Sequence, residues 1–400
     1  MMISSRRRFL SFLAASPAVA WAQRISPEQN VALIGTAQDA LNVKDFEELA
    51  QSKLPPAHWG YLTTGVDDDR TSKANIAAFE RIELRPRRLV DISHTEMRTE
   101  LFGVVYDAPI FLCPVSYQKM FHSTAELGSA RAARAKKTMQ ILSMGTAVPF
   151  EEVAKALGTA PWAQFDMPLR WEDTERAVKR VEDAGCPVLV MTVDGFGGRN
   201  AETQIRLART DTRNCLGCHP TSNAGRITLP GGSEPMMEGI MPYGSNSQRP
   251  TWQDVDRLKK LTKMKLVLKG IETREDARLC KEHGVDAIEV SNHGGRATED
   301  LRATMDSLPE VIDGAGSQMK ILIDGGFRRG ADVFKALAMG ASAVGIGRPY
   351  IYGLASFGQE GVERVLDILR AELLITMRAC GTPTLAQITH ASIAKVPWAR

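Results

Sequence analysis

The chain is poor in cysteine, with six in 400 residues, and poor in aromatics at 6%. A small disulfide-stapled scaffold is thereby excluded, because such folds need cysteine at a far higher density. Charge of one sign is missing as well: 50 Lys and Arg stand against 47 Asp and Glu, a net charge of +3 spread over the chain. That balance carries no footprint for a nucleic-acid partner. There is no long apolar run either. The N-terminal stretch Phe9 to Ala20 is broken by Ser11, Ser16 and Pro17 and falls short of the roughly 20 residues that span a bilayer. What remains, 44% hydrophobic and 24% charged residues, is a globular composition able to bury a sizeable core.

The first residues read as an address. Arg6, Arg7 and Arg8 precede Phe9-Leu10, a weakly apolar stretch follows, and Ala20-Trp21-Ala22 offers a small-residue cleavage site before Gln23. The pattern resembles a bacterial twin-arginine signal over residues 1–22, which sends folded proteins to the periplasm. A mature chain with no transmembrane segment is expected.

From residue 109 onward, short runs rich in β-branched residues alternate with helical periodicity. Strands are expected at 109–113, 139–142, 162–165, 188–193, 265–269, 287–291, 321–324 and 343–347, with helices at 125–135, 171–184, 273–283 and 329–339. Eight βα units are the pattern of an α/β protein of the (β/α)8 TIM-barrel class, with its active site at the C-terminal ends of the strands. Residues 23–400 read as one such domain with a helical N-terminal preamble and a long insertion, 206–250, after the fourth strand.

The chemistry-bearing residues follow those strands. Ser291-Asn292-His293-Gly294-Gly295-Arg296 puts an imidazole and a guanidinium on one tight turn, a base beside a carboxylate clamp. Asp324-Gly325-Gly326-Phe327-Arg328-Arg329 and Gly347-Arg348-Pro349 supply amides and cations in the two loops that commonly bind phosphate in such barrels. Lys269 ends the fifth strand, and Asp194 follows the fourth, placed to orient His293.

Together with Leu268-Lys269-Gly270, the segment continuing to Ala341, and Pro114-Val115-Ser116-Tyr117-Gln118-Lys119, these motifs resemble the FMN-dependent α-hydroxy-acid oxidase and dehydrogenase family. The likeness runs from residue 41 to about 395, the insertion excepted. The resemblance implies FMN as cofactor and two-electron oxidation of an L-2-hydroxy acid to the 2-oxo acid. It implies His293 as the base paired with Asp194, and Tyr61 with Arg296 as the substrate-carboxylate site. Lys269 would sit by the flavin's pyrimidine edge, where a fixed positive charge stabilises the reduced ring. Ser116, Ser143, Gln164, Thr192 and Ser291 would line the ring system, with Pro114, Val115 and Asp324 also on the cofactor. Gly325, Gly326, Arg328, Gly347 and Arg348 would hold the phosphate, and a homo-oligomer is implied.

Two features depart from the family. Most members carry Tyr two residues after the third-strand Gln, whereas this chain has Asp166, a carboxylate facing a carboxylate substrate. The Gly-rich segment after Asp194 also leaves the family's second arginine ambiguously aligned with Arg199. Within the insertion, Cys215, Cys218 and His219 form a C-x-x-C-H signature of c-type haem attachment, with His219 as an axial ligand and a second from Met236, Met237 or Met241. A Cys215–Cys218 disulfide and a partial zinc site are the competing readings. Cys113, Cys186, Cys280 and Cys380 read as buried small apolar residues. The expected function is an exported flavoenzyme passing electrons from a hydroxy acid to a respiratory acceptor, with or without its own haem. An oxygen-using oxidase and a non-catalytic flavin or haem electron carrier are the alternatives; a pure carrier would need neither base nor clamp.

Overall fold

The apolar runs form a closed parallel barrel, seen in a computed structural model that describes residues 26–168, 170–195, 198–213 and 249–394. Its strands are β1 (Ile110–Leu112), β2 (Met139–Leu142), β3 (Trp162–Phe165), β4 (Val188–Thr192), β5 (Lys265–Lys269), β6 (Ala287–Val290), β7 (Lys320–Ile323) and β8 (Ala343–Ile346). Each pairs with its neighbours in sequence, and β8 pairs with β1 to close the ring. Near-continuous burial along the strands explains why they read as unbroken apolar runs: one face meets the outer helices and the other fills the lumen. The lumen is packed with Phe111, Met139, Ile141, Trp162, Val188, Val190 and Val267. A two-stranded ribbon, 99–101 with 104–106, plugs its N-terminal end. Leu101 is buried there, and the Phe102 ring lies 5.5 Å from that of Trp162.

Before the barrel come α1 (Pro27–Ala32), α2 (Val43–Lys53), α3 (Pro56–Thr63) and α4 (Arg70–Ala77). Within the barrel run α5 (Ala125–Ala135), α6 (Phe150–Leu157), α7 (Trp171–Asp183), α8 (Glu202–Thr210), α9 (Trp252–Leu261), α10 (Arg274–Glu282), α11 (Thr304–Ala315), α12 (Gly330–Ala338) and α13 (Arg348–Cys380). The last of these bends at Phe357–Gly358, where Gly358 takes φ +60°. Strand positions agree with the sequence expectation to within a residue, whereas α6, α9, α11 and α13 were not anticipated. Nor was α8 expected: it runs through residues 206–210, inside the stretch read as the insertion, and its apolar side packs on α3, where Gly60 allows an approach so close that an added Cβ would sit 3.0 Å from the Leu207 Cβ. This contact and the packing of α2 on α13 seat the preamble on the barrel. No described helix is long and apolar enough to cross a membrane.

Candidate active site

Parallel strands deliver their last side chains to one end of the barrel, and there they enclose a pocket of about 920 Å³, open mouth included. Tyr61, Pro114, Val115, Ser116, Ser143, Gln164, Asp166, Thr192, Lys269, His293, Arg296, Asp324, Gly325, Gly326, Arg328, Gly347 and Arg348 all line it. Residues scattered over nearly 300 positions of sequence thus share one wall. Cys215, Cys218 and His219 lie outside the described residues, as do Met236, Met237 and Met241.

A ladder of side chains crosses the strand ends. The Ser116 and Ser143 hydroxyls are 2.8 Å apart, Ser143 donates to Gln164 Oε1 at 3.1 Å, and Gln164 Nε2 donates to Thr192 Oγ1 at 2.9 Å. The geometry fixes the Gln164 amide with its oxygen toward Ser143. A second network centres on Ser291. Its hydroxyl donates to Asp324 at 2.8 and 2.9 Å and accepts from Lys269 Nζ at 2.7 Å and from the His293 amide at 3.1 Å. Lys269 also pairs with Asp324 at 3.3 Å. Burial alone would push this ammonium down, but Asp324, Glu289 and Asp194 outweigh that and raise its pKa above the ordinary lysine value, so it is a permanent cation.

His293 sits on a strained turn. Its φ of 58° is left-handed, and Gly294 and Gly295 continue the same conformation at 67° and 75°. Glycine is obligatory at 295 for a second reason, since an added Cβ would meet the Ser72 amide nitrogen at 2.4 Å. The turn is braced by paired amides, Asn75 to Asn292 at 2.8 Å and back at 2.9 Å. It aims His293 Nδ1 at Asp194 Oδ1, 3.0 Å away, leaving Nε2 for the pocket. Burial opposes charge on Asp194, yet His293 and then Lys269 hold its carboxyl below the usual range, so it is ionised near neutral pH.

The arginines divide into two kinds. Arg296 Nη1 donates to the carbonyls of Tyr61 and Thr64 at 2.7 and 2.9 Å. Arg348 donates to those of Leu62, Thr63, Thr64 and Gly294 at 2.8 to 3.3 Å. The carbonyls at the end of α3 have no helical partners, and the negative end of a helix favours cations, so α3 anchors both guanidinia. Arg348 is therefore largely spent as a clamp between α3 and the His293 turn. Arg296 keeps Nε and Nη2 for the pocket and lies 4.9 Å from the Tyr61 ring. Burial, then the neighbouring Arg199 and Arg348, disfavour its charge, and an incoming carboxylate relieves that cost. Among the described residues neither Arg296, Arg328 nor Arg348 has a carboxylate partner within ion-pair distance.

A phosphorylated flavin fits these donors. Arg328 carries a buried Nε without a partner, and the amides of Gly325, Gly326 and Gly347 donate to no partner among the described residues. The amides of 328–330 are not available, because Asp332 takes the first two and Glu372 the third. The polar ladder offers donors and acceptors to a heterocycle edge, with Lys269 as a fixed charge beside it. Sequence reasoning missed Glu289, a fully buried carboxyl on the luminal side of β6. The signal was one acidic residue inside the apolar run Ala287-Ile288-Glu289-Val290. It also treated Cys113 as merely apolar, whereas the Cys113 Sγ lies 3.9 Å from an Asp324 carboxylate oxygen.

Fold and pocket together define a barrel enzyme built around a flavin phosphate. Residues 50–395 match the FMN-dependent dehydrogenases, and the chain belongs to that family. It is 39% identical over 354 residues to a peroxisomal (S)-2-hydroxyacid oxidase of Arabidopsis thaliana, covering 88% of this chain and 95% of the relative. It is 37% identical to a glycolate oxidase of Zea mays, covering 88% and 95%. Among solved structures, mandelate oxidase with benzoyl-formic acid superposes with TM-score 0.78 at 30% identity, over 89% of this chain and 98% of the other. The lactate oxidase of Pediococcus acidilactici gives 0.80 at 33% identity, over 89% and 95%.

Proposed function

We propose that the protein oxidises an L-2-hydroxy acid to the 2-oxo acid, with His293 as the base and Arg296 as the carboxylate anchor. The observation that carries this reading is the pairing, in one pocket, of a carboxylate-backed imidazole with a buried guanidinium whose free edge faces inward. Bound FMN would be held by Arg328 and the loop amides and would supply the acceptor for two electrons. The chain's own part is acid–base and positional. Arg296 grips the substrate carboxylate through two parallel N–H bonds, with Tyr61 beside it, and this orients the hydroxyl-bearing carbon toward the imidazole. His293 Nε2 takes the proton, and Asp194 stabilises the imidazolium across the 3.0 Å contact. Asp166 follows β3 in the same pocket and is buried, so it bears on which substrate side chains are accepted.

The destination of the electrons has two readings. The names of the relatives support oxygen as acceptor. The twin-arginine pattern and the C-x-x-C-H signature support a periplasmic enzyme that feeds a respiratory chain through haem c. One experiment tests both: full-length protein exported in a host able to attach haem, with visible spectra recorded before and after anaerobic addition of L-2-hydroxy acids. Flavin bleaching is the expected result, and flavin that no hydroxy acid bleaches would overturn the reading. A reduced c-type haem band assigns the respiratory route, whereas its absence together with peroxide on aeration assigns oxygen.

A further inference from the structure

The luminal cluster of the barrel is apolar, and polar side chains begin above it, toward the pocket. Ala287 belongs to the luminal cluster, and the two-residue period of a strand puts Glu289 on the same side, one step nearer the pocket floor. It lies opposite Lys269 on β5 and Leu322 on β7. The side chain is 0% exposed, and neither carboxyl oxygen receives a hydrogen bond from a donor among the described residues, whereas the neighbouring Asp324 carboxyl can accept one from a protonated Glu289. Its nearest polar company comes from every side: Lys269 from β5, Asp324 after β7, Asp194 after β4, Cys113 after β1 and Ser291 on its own strand's end. Ligand atoms of Cys113, Glu289 and Asp324 fall within 4.8 Å of one another, and Asp324 already carries the Lys269 ammonium at 3.3 Å.

Charge counting then decides the protonation state. Asp324 receives the Ser291 hydroxyl and the Lys269 ammonium, whereas Glu289 receives no hydrogen bond, so the shared negative charge rests on Asp324 and the proton on Glu289. An isolated ionised carboxylate in such a place is strongly disfavoured. Desolvation, reinforced by Asp324 and only partly opposed by Lys269, raises the Glu289 pKa well above its ordinary value. Within the Lys269, Asp324 and Glu289 cluster the charges cancel while Glu289 is neutral, and its ionisation leaves one negative charge in excess there, beside the anionic Asp194.

Resting on the FMN reading of the pocket, we propose that Glu289 is a buried proton-binding site linked to the redox state of the bound cofactor. Negative charge gained above the floor and negative charge on Glu289 repel one another. Two electrons entering the pocket therefore strengthen the hold of Glu289 on its proton. Where Glu289 is ionised beforehand, one proton is taken up from solvent and no electron resides on the carboxyl.

The test uses the FMN-loaded full chain, with bound FMN measured first. Failure to bind FMN would reject the reading of the pocket itself, and with it this proposal. With FMN bound, midpoint potentials are measured from about pH 6 to about pH 10 in the native protein and in Glu289→Gln. The native slope should exceed that of the variant by about 30 mV per pH unit between the carboxyl pKa beside oxidised cofactor and its higher pKa beside reduced cofactor, the value for one further proton on a two-electron couple. Parallel slopes throughout would overturn the proposal while leaving the FMN reading intact. A second measurement does not depend on the variant folding: oxidised-minus-reduced infrared spectra of native protein with and without ¹³C-glutamate. A protonated-carboxyl band that responds to both label and reduction is expected, and its absence overturns the linkage.

Discussion

Replacing Asp194 by Asn should slow the reduction of bound flavin by a 2-hydroxy acid about a thousandfold while leaving flavin binding intact. The substitution keeps shape and a hydrogen-bonding oxygen but removes a charge that His293 and Lys269 maintain in a buried position. The Asp194 Oδ1 to His293 Nδ1 distance of 3.0 Å puts the centres of carboxylate and imidazolium about 4 Å apart. At an effective dielectric constant of about 20, that attraction is worth about 4 kcal/mol. It is fully expressed only once the imidazole has taken its proton, so most of it is lost from the barrier, which corresponds to about 10³ in rate. The assay is anaerobic rapid mixing at saturating substrate, with the flavin band as readout and bound FMN per chain as control. A loss smaller than about tenfold would show that His293 does not become cationic in the rate-limiting step, and would refute its assignment as base.

Arg296→Lys should raise KM far more than it lowers kcat, because one ammonium cannot hold the Tyr61 and Thr64 carbonyls and also present two parallel donors to a carboxylate. Steady-state kinetics should show kcat/KM falling by about 10²-fold, or roughly 3 kcal/mol of charge-assisted bonding. Gly295→Ala combines a φ of +75° with a Cβ driven against the Ser72 amide, and should cost about 2–4 kcal/mol in urea unfolding. Glu272 lies behind the mouth with its carboxyl raised from 4.5 to about 8 by burial, then by Asp300. Its folded pKa exceeds its unfolded one, so it contributes stability below about pH 4.5 that is lost as pH rises through about 8. Glu272→Gln should therefore match the native protein near pH 5 and exceed it near pH 9, by at most about 5 kcal/mol in pH-dependent unfolding.

Much of the barrel was legible in the chain because its strands are buried on both sides. Their unbroken runs, such as Val188-Leu189-Val190-Met191, are distinctive in a sequence where helices read as periodic. Helices α6, α11 and α13 were harder to see. Phe150–Leu157 is only eight residues long, Thr304–Ala315 carries an internal Pro309, and Arg348–Cys380 opens on the same residues that read as a phosphate loop. Local signals of that kind point away from a helix, and packing on the barrel overrides them.

The sequence by itself determined the βα order, the chemistry-bearing types and their places just after the strands, because strand period and turn residues act over a few neighbours. Only the tertiary structure decided what those groups do to one another. That Arg348 clamps α3, that Asp332 and Glu372 consume the amides at the start of α12, and that Glu289 lies beside Lys269 on the neighbouring strand are all decided by how the chain packs in space. Hydrogen bonds and charges act over a few ångströms of space, and closing the barrel is what makes residues some 230 positions apart, such as Tyr61 and Arg296, neighbours at that range.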